Sequence, residues 1–306
     1  MSLTIKARAE NEPPPWRERP EWVRLPDGRY LAWETFGDPD GVPALLFHGL
    51  PSSRLQARMH HPQAAETGVQ LIAFDRPGMG WSDFDPNRTL ASVARDVAAL
   101  LDHLGLEKVH LFGGSGGTPY LLATALALPE RVNRAALFGC LGPIFKPEVG
   151  RHFNAAKRRL FRLARKYPPG LICPVAASMR EFVDPRQIQS KMRARLGPYD
   201  RQAITDPFMW SWLLEEPFRQ GMRGVYRDLR LLGGPWLFEN ELLNLRLPLR
   251  IWHGEGDVVC PIEFSEHVHA LLPEATELVR VPNLGHYMND PEVWRGVYRW
   301  LAAGGG

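Results

Sequence analysis

A chain of 306 residues, 44% hydrophobic and 23% charged, is long enough to bury a large core and too ordinary in composition to be disordered or fibrous. Its formal net charge of +3 excludes a phosphate-binding stripe, because no run of like charge extends far enough to make one, so no nucleic-acid partner is expected. The three cysteines, Cys140, Cys173 and Cys260, are odd in number and far apart, which leaves no disulfide framework or zinc pattern and fits a reducing cytoplasm. No apolar run reaches the roughly 18 residues that span a bilayer, and the first residues carry no apolar leader.

Residues 1–20, with ENEPPPWRERP, are too rich in proline and charge to pack, and predict an extended tail. WVRL and RYLAWETF flank Pro26-Asp27-Gly28, a turn signal that predicts an antiparallel hairpin. Then come ALLFH (44–48), QLIAFD (70–75), VHLFG (109–113), RAALFG (134–139), LRIWHG (249–254) and TELVRVP (276–282). Short, nearly continuous apolar runs separated by helical segments describe strands buried on both faces of a parallel sheet. LASVARDVAALLDHLG (90–105) and YLLATALAL (120–128) supply two of the crossover helices, stopped by Gly105 and Pro129. Between Leu141 and Leu247 the alternation gives way to helix-like segments parted by proline and glycine. The expected organisation is an α/β core over 21–141 and 248–306, with a helical cap, 142–247, inserted after the sixth strand.

The segment LFGGSGGTPY sets Ser115 among four glycines where a buried strand meets a helix. A G-x-S-x-G in that context is a nucleophile elbow, in which the serine takes a strained backbone and the glycines relieve the clashes around it. A serine hydroxyl is a weak nucleophile and needs a base, and the base needs an acid to orient it. Asp257 follows the strand LRIWHGEGD and His286 follows the next strand, within VPNLGHYMND. The chain order Ser, Asp, His is that of a triad built on successive strand ends. Glu255, two residues before Asp257, is the weaker candidate for the acid. Asp75 and Arg76 are expected to pin the RPGMGWSD loop. His60-His61 and His267-x-His269 lack a carboxylate or cysteine to complete a metal set, so no metal and no cofactor are expected.

FHGLP, FDRPGMGWSD, GGSGG, WHGEGDVVCP and NLGHYMNDP together resemble the α/β-hydrolase family, in its serine-nucleophile, esterase- and lipase-like branch. The resemblance covers about Trp22 to Ala302 and leaves the cap unmatched. It implies that the backbone N–H of Leu50, after His48-Gly49, joins that of Gly116 in an oxyanion hole. Epoxide hydrolases and haloalkane dehalogenases of the family carry aspartate where this chain has Ser115. Proline iminopeptidases share the GGS elbow, yet their oxyanion loop reads HGGPG and this one HGLPS; C–C bond hydrolases use serine with a different loop again. The implied activity is hydrolysis of small to medium apolar carboxylic esters through an acyl-enzyme. The alternatives are an iminopeptidase-like aminopeptidase, a C–C bond hydrolase, or a ligand-binding protein with little turnover. His48, Phe208, Met209, Trp210, Trp212 and Trp236 are candidates for the substrate pocket. Residues 146–201 hold 14 lysines and arginines against four acidic residues. In KRRLFRLARKY the basic residues share a helix with Leu160, Phe161, Leu163 and Ala164, the pattern of a solvated face opposite a packed one. The sequence leaves monomer and homodimer equally open.

Overall fold

The computed structural model describes residues 20–171, 197–203, 215–272 and 276–303. The expected N-terminal tail, Pro20 apart, lies outside that range, as do Phe208, Met209, Trp210 and Trp212. Eight strands form one sheet: β1 Glu21–Arg24, β2 Tyr30–Gly37, β3 Val42–Phe47, β4 Val69–Phe74, β5 Val109–Ser115, β6 Val132–Cys140, β7 Leu249–Gly254 and β8 Thr276–Val281. Their spatial order is β1-β2-β4-β3-β5-β6-β7-β8. The first two strands form the antiparallel hairpin expected around Pro26-Asp27-Gly28, and β2 also runs antiparallel to β4. Every later pairing is parallel.

The apolar strands are continuous because both faces are covered. Leu45 and Phe47 of β3 pack into one core with Val93 and Val97 of the helix Leu90–His103 and with Tyr120 and Leu121 of the helix Thr118–Ala127. Ala44 and Leu46 turn to the opposite core, under Trp294, Tyr298 and Leu301 of the last helix, Pro291–Ala302. The helix Leu90–His103 starts at a reciprocal cap, in which Thr89 and Ser92 each bond the other's backbone N–H.

Between β6 and β7 the described elements are all helical, including Ala155–Lys166, Pro198–Ala203 and Arg223–Leu232. The basic helix Ala155–Lys166 differs from its expected face: Phe161 and Ala164 are buried, whereas Leu160 and Leu163 are 50% and 37% exposed. A single stripe at three-residue spacing is covered, against the helix Arg223–Leu232, and it is narrower than the apolar content suggested. No described helix is long and apolar enough to cross a membrane.

His60 belongs to packing. It is buried among Phe112, Phe138, Trp294 and Tyr298, with its ring centroid 4.5 Å from that of Trp294. Burial pushes its pKa from 6.5 down to about 3. The folded state therefore binds fewer protons than the unfolded state below pH 6.5, so stability falls as pH drops through the window between the two values. By about pH 4.5 this one group is expected to cost about 2 to 3 kcal/mol, and His60→Phe to lose correspondingly less on acidification. Urea midpoints of both proteins at neutral pH and at that lower pH check it; equal acid sensitivity would refute it.

Candidate active site

The elbow forms because β5 runs into a helix with no room to turn gradually. Ser115 ends the strand at φ 51°, in the left-handed region a side chain rarely adopts, and the helix Thr118–Ala127 starts three residues later. The flanking glycines are required by close approach. A methyl group on Gly114 would lie 2.0 Å from the Phe138 carbonyl oxygen, and one on Gly117 would lie 2.1 Å from that of Phe47. One on Gly116 would lie 3.0 Å from the Leu50 nitrogen, which places the two expected oxyanion donors side by side. Among the described residues, neither the Leu50 nor the Gly116 N–H donates to another group. Two free amides beside a serine at a helix N-terminus can receive a developing negative charge.

The other two expected residues meet at the same end of the sheet. His286 Nδ1 lies 2.7 Å from Asp257 Oδ2, and both side chains are buried, at 8% and 1% exposed. Gly139 packs against the pair: a methyl group there would lie 3.0 Å from His286 Nδ1 and 3.2 Å from Asp257 Oδ2. The next residue, Cys140, is the register partner of Ser115, so the sheet brings serine, histidine and aspartate around one strand end. Cys260 touches both Ser115 and Asp257. Its Sγ is 3.9 Å from Ser115 Oγ, and its backbone N–H donates to Asp257 Oδ1 at 2.9 Å. Glu255 is exposed and has no such partner among the described residues.

Asp257 also accepts from the Val259 N–H at 2.7 Å. Burial works to raise its pKa, but the charge and hydrogen bond of His286, then His253 and the Cys260 N–H, outweigh it and hold the carboxyl below its usual range. It therefore stays ionised, as the orienting partner of an imidazolium must. His253 backs it from the core, with Nε2 3.5 Å from Asp257 Oδ2. That nitrogen faces the Cys260 carbonyl oxygen at 3.2 Å, so it carries the proton, and Nδ1 accepts from Ser265 Oγ at 2.7 Å. Burial lowers the His253 pKa, which keeps the ring neutral.

The loop that carries Leu50 is held by buried charge. Arg76 donates to the carbonyl oxygens of His48 and, at 2.8 Å, Gly49, and its guanidinium pairs with Asp228 at 2.7 Å. Arg88 and the Tyr120 hydroxyl share the other Asp228 oxygen, at 2.6 and 2.7 Å. Asp75 accepts from the Arg54 and Trp81 N–H groups at 2.8 and 3.0 Å, and Arg54 reaches on to Glu216 at 2.7 Å. Asp75 thus pins the RPGMGWSD loop as expected, whereas the Arg76 side chain holds the neighbouring His48-Gly49 segment instead; Asp228 and Glu216 come from the insertion.

Two pocket candidates take structural positions. His48 is fully buried; its Nε2 accepts from the Arg76 N–H at 3.2 Å and its Nδ1 donates to the Gly49 carbonyl at 2.9 Å. Burial and the Arg76 charge drive its pKa well down, so it is a neutral prop of the loop. Trp236, 6% exposed, stacks on Phe238 at 5.3 Å within the core. No cluster of three or more metal-ligating side chains occurs among the described residues. Sequence reasoning missed His253, Asp228, Glu216 and Asp200; a histidine inside the apolar run LRIWHG was the one available signal.

The chain belongs to the alpha/beta hydrolase fold family, whose sequence model matches residues 43–293. It is 27% identical to a proline iminopeptidase of Xanthomonas citri, across 88% of this chain and 91% of that one. It is 24% identical to a bifunctional esterase/perhydrolase of Acinetobacter calcoaceticus, across 89% and 94%. A thermophilic esterase from Thermogutta terrifontis superposes with a TM-score of 0.69 at 24% identity, over 94% of this chain and 100% of that one.

Proposed function

We propose that the protein is a serine carboxylesterase acting in the cytoplasm on small to medium, uncharged, apolar esters. The observation that carries this reading is the 2.7 Å bond between His286 Nδ1 and Asp257 Oδ2, made beside a serine held at φ 51°. With Nδ1 donating to an ionised carboxylate, Nε2 is left as the base. It takes the Ser115 proton as Oγ attacks the ester carbonyl, and the Leu50 and Gly116 amides receive the oxyanion. The imidazolium then protonates the leaving alcohol. Water, deprotonated in turn by His286, releases the acid from the acyl-enzyme. In this reading the helical insertion roofs the pocket, and the apolar residues Phe208, Met209, Trp210 and Trp212 are proposed for its acyl side.

The likeness to proline iminopeptidases supports a second reading, in which the scissile bond is an N-terminal proline amide. A panel of aryl esters of graded acyl length, with lactones and proline arylamides, separates the two. The expected result is fastest turnover of apolar acyl esters, with weak dependence on salt because no ion pair steers the substrate. Proline arylamides turned over faster than any ester would favour the second reading. A preference for dicarboxylate half-esters that collapses at high salt would instead assign recognition to the basic insertion.

A further inference from the structure

The insertion reaches the histidine loop through the short helix Pro198–Ala203. Asp200 in that helix is 1% exposed, and both of its carboxylate oxygens accept backbone protons from the far loop. Oδ2 accepts from the His286 N–H at 2.9 Å and Oδ1 from the Tyr287 N–H at 3.0 Å. Gly285 leaves the space for this approach, since a methyl group there would lie 2.3 Å from the Asp200 carboxylate. The neighbouring Tyr199 donates to Asn283 Oδ1 at 3.2 Å, and its ring covers Gly256, one residue before Asp257. One turn of the insertion therefore grips the loops that carry both Asp257 and His286.

We propose that Asp200 is a positioning residue for His286: it fixes the backbone from which the imidazole projects and sets a second negative charge beside the ring, so that a competent base requires a seated insertion. The proposal rests on the reading of His286 as the general base. Two carboxylate bonds to consecutive N–H groups leave the histidine backbone little freedom, and a displacement of about 1 Å at a catalytic group can cost about a hundredfold in rate. The charge acts separately. An imidazolium at His286 faces Asp257 from the β7 loop, Asp200 from the insertion, neutral His253 beyond Asp257, and the Tyr287 ring at 5.5 Å. Asp200 and Asp257 are thus the two carboxylates that hold this residue, one at its backbone and one at its ring. Burial raises the Asp200 pKa, with the two N–H bonds and the His286 charge acting against it.

The test compares wild-type protein with Asp200→Asn, which keeps the shape, removes the charge, and turns an NH2 group toward one of the two N–H donors. With 4-nitrophenyl butyrate, kcat is expected to fall roughly ten- to a hundredfold with KM little changed. A purely structural role would lower the amount of folded enzyme and leave kcat per folded molecule, and the resonance described below, unchanged. Gly285→Ala, which crowds the carboxylate and retains its charge, should also reduce kcat, and carries the test if D200N does not fold. The low-field proton resonance of the His286 Nδ1–H bonded to Asp257 is read in parallel and should shift or broaden in both variants. Unchanged kcat and resonance in D200N would overturn the proposal. If the wild-type protein hydrolyses no ester while the resonance still responds to D200N, the esterase reading fails and the positioning role stands.

Discussion

Ser115→Ala is expected to lower ester turnover by about a millionfold, the loss that follows removal of a triad nucleophile. The reason lies in the proposed reading, in which the three residues act as one unit. His286 is oriented by Asp257 at 2.7 Å and has a proton to take only if the serine hydroxyl is present. Deleting the hydroxyl leaves the base and the oxyanion amides in place with nothing to attack the carbonyl. His286→Ala should be about as damaging, and the double variant hardly worse, since groups acting as a unit do not add. The fold should survive, because Ser115 is partly exposed at its turn and its side chain fills no core. Steady-state kinetics and a thermal melt check both halves; retention of more than a few per cent of activity in S115A would end the assignment.

The second large effect is on stability. Asp228 is fully buried and its two oxygens face Arg76, Arg88 and the Tyr120 hydroxyl, with Arg76 and Arg88 themselves fully buried. Asp228→Ala strands two guanidinium groups in the interior without their carboxylate, and removing one partner of a buried ion pair costs about 3 to 5 kcal/mol. Activity should fall too in the protein that remains folded, because Arg76 also holds the His48 and Gly49 carbonyls that present the Leu50 amide. Urea denaturation measures the first effect and kcat the second. A loss of less than about 1 kcal/mol would mean that water reaches these arginines and that the network is not what fastens the insertion.

The body of the fold was legible because a parallel sheet covered on both faces leaves an unusual mark: six short apolar runs, most of them ending at a polar residue or a glycine. All six are strands here. The candidate site was legible because its parts sit on those strand ends in chain order, and because glycines crowd where Phe138 and Phe47 leave no space for a side chain. The second layer of the site was not. Asp200, Glu216 and Asp228 stand among many charged residues of a helical insertion, and a buried carboxylate carries no local sequence mark separating it from a solvated one. Their partners Arg54, Arg76 and the His286 amide are 162, 152 and 86 residues away. The same limit explains Leu160 and Leu163: helical spacing tells which side chains share a face, and not how wide a stripe its neighbours cover.

Labelling with a serine-directed fluorophosphonate, followed by peptide mass analysis, tests the central claim most directly. The expected result is one adduct per chain on the peptide bearing Ser115, ester hydrolysis lost in proportion to labelling, and no adduct in S115A. Hydrolysis that persists in fully labelled protein, or equal labelling of S115A, would contradict it.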